Sequence, residues 1–249
     1  MEFIVNYKSE KEIIIFSSTD EISEYLGNIW KEKTDKLNNN EYYSIALSGG
    51  STPLKIFKYL SKNFNEKIDW NKIKFFWGDE RCVPPEDPES NYKLAKENLF
   101  ENIQISKENI YRIKGEAKPD NEDEAYSKVL EANLQVENGY PKFDFVLLGL
   151  GEDGHTASIF PNQINLFNSS NYCEVAVHPE SKQRRITITG NIINNAETIM
   201  FIAVGKNKAE KVYEILNNLE SSNHYPAALV NPTSGNLVWL LDKESAELL

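Results

Sequence analysis

Cysteine is scarce in this chain: Cys82 and Cys173 are the only two in 249 residues. Without a CxxC spacing they provide neither the disulfide framework of a small secreted domain nor a zinc or redox pair, so two small buried hydrophobes in a reducing compartment are expected. Long apolar runs are missing as well. None approaches the ~20 residues of a membrane span, and Met1-Glu2-Phe3-Ile4-Val5-Asn6-Tyr7-Lys8 lacks the basic stretch and apolar core of a secretory signal. Basic residues fall short of acidic ones, 27 Lys+Arg against 38 Asp+Glu, for a formal net charge of -11. The sequence pI is near 4.9. That field disfavours nucleic acid and anionic lipid, and it requires a local positive pocket for any anionic ligand. Also absent are H-E-x-x-H and H-x-x-x-H pairs, a Gly-Lys-Ser/Thr Walker ending and a G-x-S-x-G elbow, which leaves water as the natural attacking group. A metal site would have to be assembled from Asp79, Glu80, Asp153 and His155, with no motif to support it. A cytoplasmic protein without cofactor is expected.

Enough hydrophobic residue is present, 40%, to bury a core without staples. Short apolar runs alternate with amphipathic segments. Strands are predicted over 13–16, 43–47, 73–77, 143–148, 173–177, 185–189, 198–204 and 237–241, and helices over 18–36, around Ile56, Phe57 and Leu60 with Pro53 tolerated in the first turn, and over 90–100, 122–134 and 207–216. Ser18 and Glu21 have the spacing of a capping box. Strands separated by helical stretches imply crossovers, so the fold class is α/β: a mainly parallel, Rossmann-like open sheet with helices on both faces, in one domain over 1–249.

Three turns at strand ends carry residues capable of chemistry. Ser48-Gly49-Gly50-Ser51-Thr52 joins a strand to a helix, where backbone N–H groups and hydroxyls converge on an anion, or where glycines merely let strand and helix pack. Gly78-Asp79-Glu80-Arg81 sets a guanidinium beside two acids that can hold it, making Arg81 a candidate clamp. The third turn, Gly149-Leu150-Gly151-Glu152-Asp153-Gly154-His155, places a histidine two residues after a carboxylate. Of His155, His178 and His224, it is His155 that is expected to work. Its glycines match the dinucleotide fingerprint literally, but Pro161 interrupts the helix that fingerprint needs. Lys206 or Lys208 at a helix start could complete an anion site, and Arg184-Arg185 enters another strand.

The motifs Leu47-Ser48-Gly49-Gly50-Ser51-Thr52-Pro53, Trp77-Gly78-Asp79-Glu80-Arg81, Pro88-Glu89-Ser90-Asn91-Tyr92, Gly149 through Pro161 and Arg185-Ile186-Thr187-Ile188-Thr189 resemble the ordered motif set of 6-phosphogluconolactonases, over roughly residues 10–245. The related glucosamine-6-phosphate deaminases resemble the same loops. They carry Asp-Glu-Tyr at residues 79–81 and Asp-Gly-His-Ile-Ala-Phe-Asn-Glu-Pro from residue 153 onward, so their extra glutamate is missing here. The resemblance implies a carboxylic ester hydrolase that opens 6-phospho-D-glucono-1,5-lactone to 6-phosphogluconate in the oxidative pentose phosphate pathway. It implies catalytic roles for His155 and Asp153. Substrate or phosphate contacts fall to Gly49, Gly50, Ser51, Thr52, Arg81, Arg185 and Lys208, and functional coupling to glucose-6-phosphate dehydrogenase is implied. The alternatives are a deaminase/isomerase, or a sugar-phosphate-binding module without turnover.

Overall fold

In chain order the elements are β1 (Ile4–Lys8), β2 (Lys11–Phe16), α1 (Thr19–Lys36), β3 (Tyr43–Leu47), α2 (Ser51–Asn63), β4 (Ile73–Trp77), β5 (Asp79–Arg81), α3 (Asn91–Asn98) and α4 (Pro119–Asn133). They continue with β6 (Gln135–Glu137), β7 (Tyr140–Lys142), β8 (Phe145–Gly149), β9 (Cys173–Val177), β10 (Arg184–Ile188), α5 (Gly190–Asn194), β11 (Thr198–Ala203), α6 (Ala209–Leu216) and β12 (Asn236–Asp242). This computed structural model describes residues 4–8, as backbone, and 11–249. Met1, Glu2 and Phe3, part of the segment inspected for a secretory signal, lie outside the described residues.

A seven-stranded sheet runs in the order β1-β2-β12-β11-β8-β3-β4. The six strands from β2 to β4 are parallel and β1 is an antiparallel edge. β3 is buried along its whole length, as are Leu237 to Leu241 of β12. Such unbroken apolar runs are what a parallel sheet covered on both faces demands. The crossovers through α1 and α2 progress toward β4, whereas those after β8 and β11 progress the other way. With right-handed crossovers, the two sets of helices lie on opposite faces. The direction in which crossovers progress therefore reverses between the adjacent parallel strands β3 and β8, and the crevice beyond their carboxyl ends is the switch point where open α/β sheets bind ligands.

Two features of the local sequence build α1. Ser18 Oγ accepts the Glu21 N–H at 3.2 Å, while Glu21 Oε2 accepts the Ser17 N–H at 2.9 Å, one residue upstream of the box position. The buried stripe Ile22, Leu26 and Trp30 faces the sheet, and Trp30 meets Phe145 edge-on at 6.0 Å. Gly27 lies where any Cβ would meet the Phe64 ring at 2.6 Å, so glycine is what allows α1 and α2 to approach.

The remaining strands correct one expectation. Residues 173–177 and 184–188 do not join the parallel sheet; β9 and β10 form an antiparallel three-stranded sheet with β5, in the order β5-β10-β9. The connection between β9 and β10, residues 178–183, is too short for a parallel crossover. The turn predicted at Gly78-Asp79-Glu80-Arg81 accordingly contains β5, a strand only because β10 lies beside it. The predicted helices hold with shifted ends: α4 begins earlier, on Pro119, and α6 begins at Ala209 after a 3-10 turn, Lys206–Lys208. No α-helix follows the glycines of 149–154; Pro161–Asn168 is 3-10, so the dinucleotide fingerprint lacks its helix.

Candidate active site

The carboxyl ends of β3 and β8 open into a cleft of about 500 Å³. On one wall, Gly50 (φ 107°) turns the chain out of β3 into α2, whose first turn has no side-chain cap and no acidic residue. Its leading N–H groups therefore have no intrahelical partner and stand at the positive end of the dipole. Gly49 is required by packing: a Cβ there would meet Asn91 Oδ1 at 1.7 Å. Gly49 and Gly50 line the main cleft. Ser51 and Thr52 line an adjoining recess of about 150 Å³ that Lys208 also reaches. Lys208 borders both spaces and is half-buried, and burial lowers its pKa. Lys206 pairs instead with Glu247 at 3.2 Å, with its side chain 75% exposed. The helix start thus presents Lys208, not Lys206, to the cleft.

Opposite, the small sheet sets Arg81 and Arg185 directly across from each other in register. Both line the cleft. Two like charges in that relation are destabilising unless an anion lies between or near them. The acids next to Arg81 do not hold its guanidinium as expected: Nη1 donates to the Glu89 carbonyl at 2.7 Å, and Nε is buried without a partner among the described residues. Strand alternation sends Glu80 the other way, where it receives the N–H groups of Asn91 (2.7 Å) and Tyr92 (2.8 Å) and the Ser90 hydroxyl (3.0 Å) at the start of α3. Burial pushes the Glu80 carboxyl up against the pull of these bonds. Asp79 faces the cleft side. It receives Ser158 Oγ–H at 2.5 Å and Asn91 Nδ2–H at 3.3 Å. Arg185 Nη1 donates to the same Ser158 oxygen at 3.4 Å, and its guanidinium lies 5.6 Å from the Phe160 ring centre.

The third wall is the turn after β8. Gly151 N–H donates to the His155 carbonyl at 2.8 Å, closing the turn, and Ala227 N–H donates to the Gly154 carbonyl at 3.1 Å, tying it down. Asp153 Oδ1 lies 2.5 Å from His155 Nδ1 and also accepts the His155 N–H at 3.1 Å. Burial pushes the Asp153 carboxyl up, but the hydrogen bonds and charge of His155 outweigh it and hold the group below its usual range. A carboxylate at Nδ1 calls for a proton there, which leaves the Nε2 lone pair as acceptor. The His155 side chain is 28% exposed and lines the same cleft as Gly49 and Gly50. The glycines make room for protein rather than ligand. A Cβ on Gly151 would meet His155 Nδ1 at 2.1 Å, and one on Gly154 (φ 85°) would meet the Tyr225 ring at 2.4 Å.

All the residues to which the resemblance assigns a role thus line this cleft or its recess, whereas Glu80, Arg184 and Lys206 do not. Sequence reasoning passed over His178, which lines the cleft from the turn after β9, whereas His224 is exposed elsewhere. The structural weight of Asn91 and Ser158 was also missed, although both lie within recognisable motifs. The pocket is not simply positive. Arg81, Arg185 and Lys208 face Asp79, Glu152, Asp153 and Glu180, but Asp79 and Asp153 are engaged as described and Glu152 accepts Asn207 Nδ2–H at 2.6 Å. Among the described residues, no three His, Cys, Asp or Glu side chains cluster to hold a metal ion. No helix among them is long and apolar enough to cross a membrane.

Similarity to known proteins agrees with this geometry. The chain is 44% identical to 6-phosphogluconolactonase of Haemophilus influenzae over 211 residues, 84% of this chain and 89% of that protein. It is 38% identical to that of Treponema pallidum, over 91% of this chain and 93% of that one. The solved structure of the Trypanosoma brucei 6-phosphogluconolactonase superposes with a TM-score of 0.83 at 31% identity, covering 95% of this chain and 98% of that one. Residues 17–239 match the family described as glucosamine-6-phosphate isomerases/6-phosphogluconolactonase; the chain belongs to that family.

Proposed function

We propose that this protein hydrolyses 6-phospho-D-glucono-1,5-lactone to 6-phosphogluconate. The observation that carries this reading is the Asp153–His155 pair facing the same cleft as the uncapped start of α2. Opening a δ-lactone needs an activated water, stabilisation of the tetrahedral oxyanion and a proton for the departing ring oxygen. His155 Nε2 takes the proton from water and returns it to the C5 oxygen. Asp153 holds the ring in the competent tautomer and balances the imidazolium while it exists. Positioned proton transfer of this kind contributes about 10²- to 10⁴-fold.

The phosphate is bound by the turn at residues 49–52 and by Lys208. Arg81 and Arg185 are the cationic groups available to the rest of the substrate and to the oxyanion. Binding energy gained at the phosphate, remote from C1, orients the ester for attack. We place the enzyme in the cytoplasm as one domain over residues 1–249, acting on the lactone that glucose-6-phosphate dehydrogenase supplies.

Acid release from freshly generated phosphogluconolactone, with and without the protein and corrected for spontaneous opening, tests the proposal; equal rates would refute it. Ammonia release from glucosamine 6-phosphate is expected to be nil. Tight 6-phosphogluconate binding without turnover would select the non-catalytic module instead.

A further inference from the structure

Two imidazoles flank the fully buried Phe160 ring. His155 lies with ring centres 4.9 Å apart, and His178 stands edge-on at 5.2 Å. Both line the cleft, yet they are hydrogen-bonded in opposite senses. Whereas a carboxylate meets His155 Nδ1, His178 Nδ1 receives two backbone N–H groups, from Glu180 at 3.3 Å and Ser181 at 3.1 Å. A nitrogen that accepts two N–H donors carries no proton, so the neutral His178 ring has its N–H at Nε2. Its backbone is fastened as well: His178 N–H donates to the Gln183 carbonyl at 2.9 Å, and its carbonyl accepts Lys182 N–H at 3.1 Å. The ring is therefore fixed in tautomer by the turn that carries it. Burial and the Arg185 guanidinium lower its pKa, with the Glu180 carboxylate opposing, which favours the uncharged donor.

We propose that His178 is a second substrate-contacting histidine, donating its Nε2–H to an oxygen of the sugar lactone while His155 accepts at Nε2 on the other side of Phe160. This rests on the lactonase reading. An uncharged donor suits a hydroxyl or lactone oxygen, because the phosphate end is already provided with Lys208 and the N–H groups of α2. The cleft thus holds one imidazole acceptor and one imidazole donor.

The test compares His178→Phe, which keeps an aromatic ring against Phe160 but has no N–H, with His178→Gln, whose amide nitrogen stands near the place of Nε2. On freshly generated phosphogluconolactone, His178→Phe should raise KM about 3- to 10-fold, the worth of one neutral hydrogen bond, and His178→Gln should recover most of that. Inhibition by inorganic phosphate should be the same in both variants as in the parent. In nitrogen-15 spectra of the parent protein, the His178 Nε2 resonance should move when 6-phosphogluconate is added and stay put with inorganic phosphate alone. An unchanged KM in His178→Phe, or an Nε2 resonance indifferent to 6-phosphogluconate, overturns the inference. So does an equal KM rise in both variants accompanied by a lower Tm, since that marks a role only in holding the turn. A parent protein that does not accelerate lactone decay refutes the lactonase reading itself, a result distinct from all of these.

Discussion

Ser158 Oγ donates to Asp79 Oδ2 at 2.5 Å, joining the turn after β8 to the small antiparallel sheet through two buried side chains. The same hydroxyl oxygen accepts from Arg185, and Asp79 accepts from Asn91, whose side chain abuts Gly49. One buried polar chain thus ties all three walls of the cleft together. Buried networks of this kind rigidify when complete and are costly when one member is lost.

Ser158→Ala leaves the Asp79 carboxylate without its shortest buried partner and takes one hydrogen-bond acceptor from Arg185. A loss of about 1–3 kcal/mol in stability is expected, together with a higher KM for the lactone and a smaller change in kcat. Thermal unfolding and steady-state kinetics check both; an unchanged Tm and KM would show that the network positions nothing.

His155→Ala should lower kcat by about 10²- to 10⁴-fold while leaving 6-phosphogluconate binding intact, as read by calorimetry. Near-full turnover would remove His155 from the mechanism.

Asp153→Asn separates charge from shape. In the folded protein the carboxyl lies below its ordinary value of 3.8. Its carboxylate therefore contributes stability above that pH and loses it as pH falls through the lowered value. Unfolding curves of parent and variant should differ at neutral pH and converge in acid. The uncharged amide no longer balances the imidazolium that forms during catalysis, so kcat at neutral pH should fall in the variant. An unchanged kcat would show that the carboxylate is not coupled to catalysis.

Gly151→Ala puts a methyl group into the space of His155 Nδ1, 2.1 Å away, and 2.6 Å from Asp153 Oδ1. Displacing the pair by about 1 Å should reduce kcat on the order of 10²-fold. Circular dichroism should remain that of the parent, because the ring's far end reaches open cleft and can yield. Full activity would mean that the pair tolerates displacement.

Tyr126→Phe tests the edge of the sheet. The fully buried Tyr126 hydroxyl accepts the Trp77 N–H at 2.9 Å and donates to the Trp77 carbonyl at 3.1 Å, so α4 satisfies the end of β4 on its open side. Loss of both bonds should cost about 1–3 kcal/mol, a fall of several degrees in Tm for a chain of this size. An unchanged Tm would imply that other groups satisfy that peptide.

Much of this was legible in the residues themselves. Tyr43–Leu47 and Ile73–Trp77 are predicted to the residue, because strands covered on both faces must be apolar throughout and are bounded by polar turns. The turns carrying Gly49, Arg81 and His155 are conspicuous because each follows such a run. β5 was not legible: Asp79-Glu80-Arg81 has no apolar pattern and becomes a strand only through β10. Lys208 could not be told from Lys206, since the 3-10 turn before α6 decides which side chain meets the cleft. His178 resembled any surface-turn histidine until residues 178–183 folded back upon its ring.

The sequence by itself determined the α/β class, the six parallel strands of the main sheet with helices α1 to α4 and α6, and the three turns that carry the reactive groups, because these depend on hydrophobic period and local chain geometry. Only the tertiary structure decided that β9 and β10 leave the main sheet, that Arg81 and Arg185 stand side by side, that Glu80 serves α3 while Asp79 serves the cleft, and that two histidines present opposite nitrogens. Each of these follows from which long-range partner a polar group finds on burial, and a buried donor or acceptor must be met by something distant in the chain.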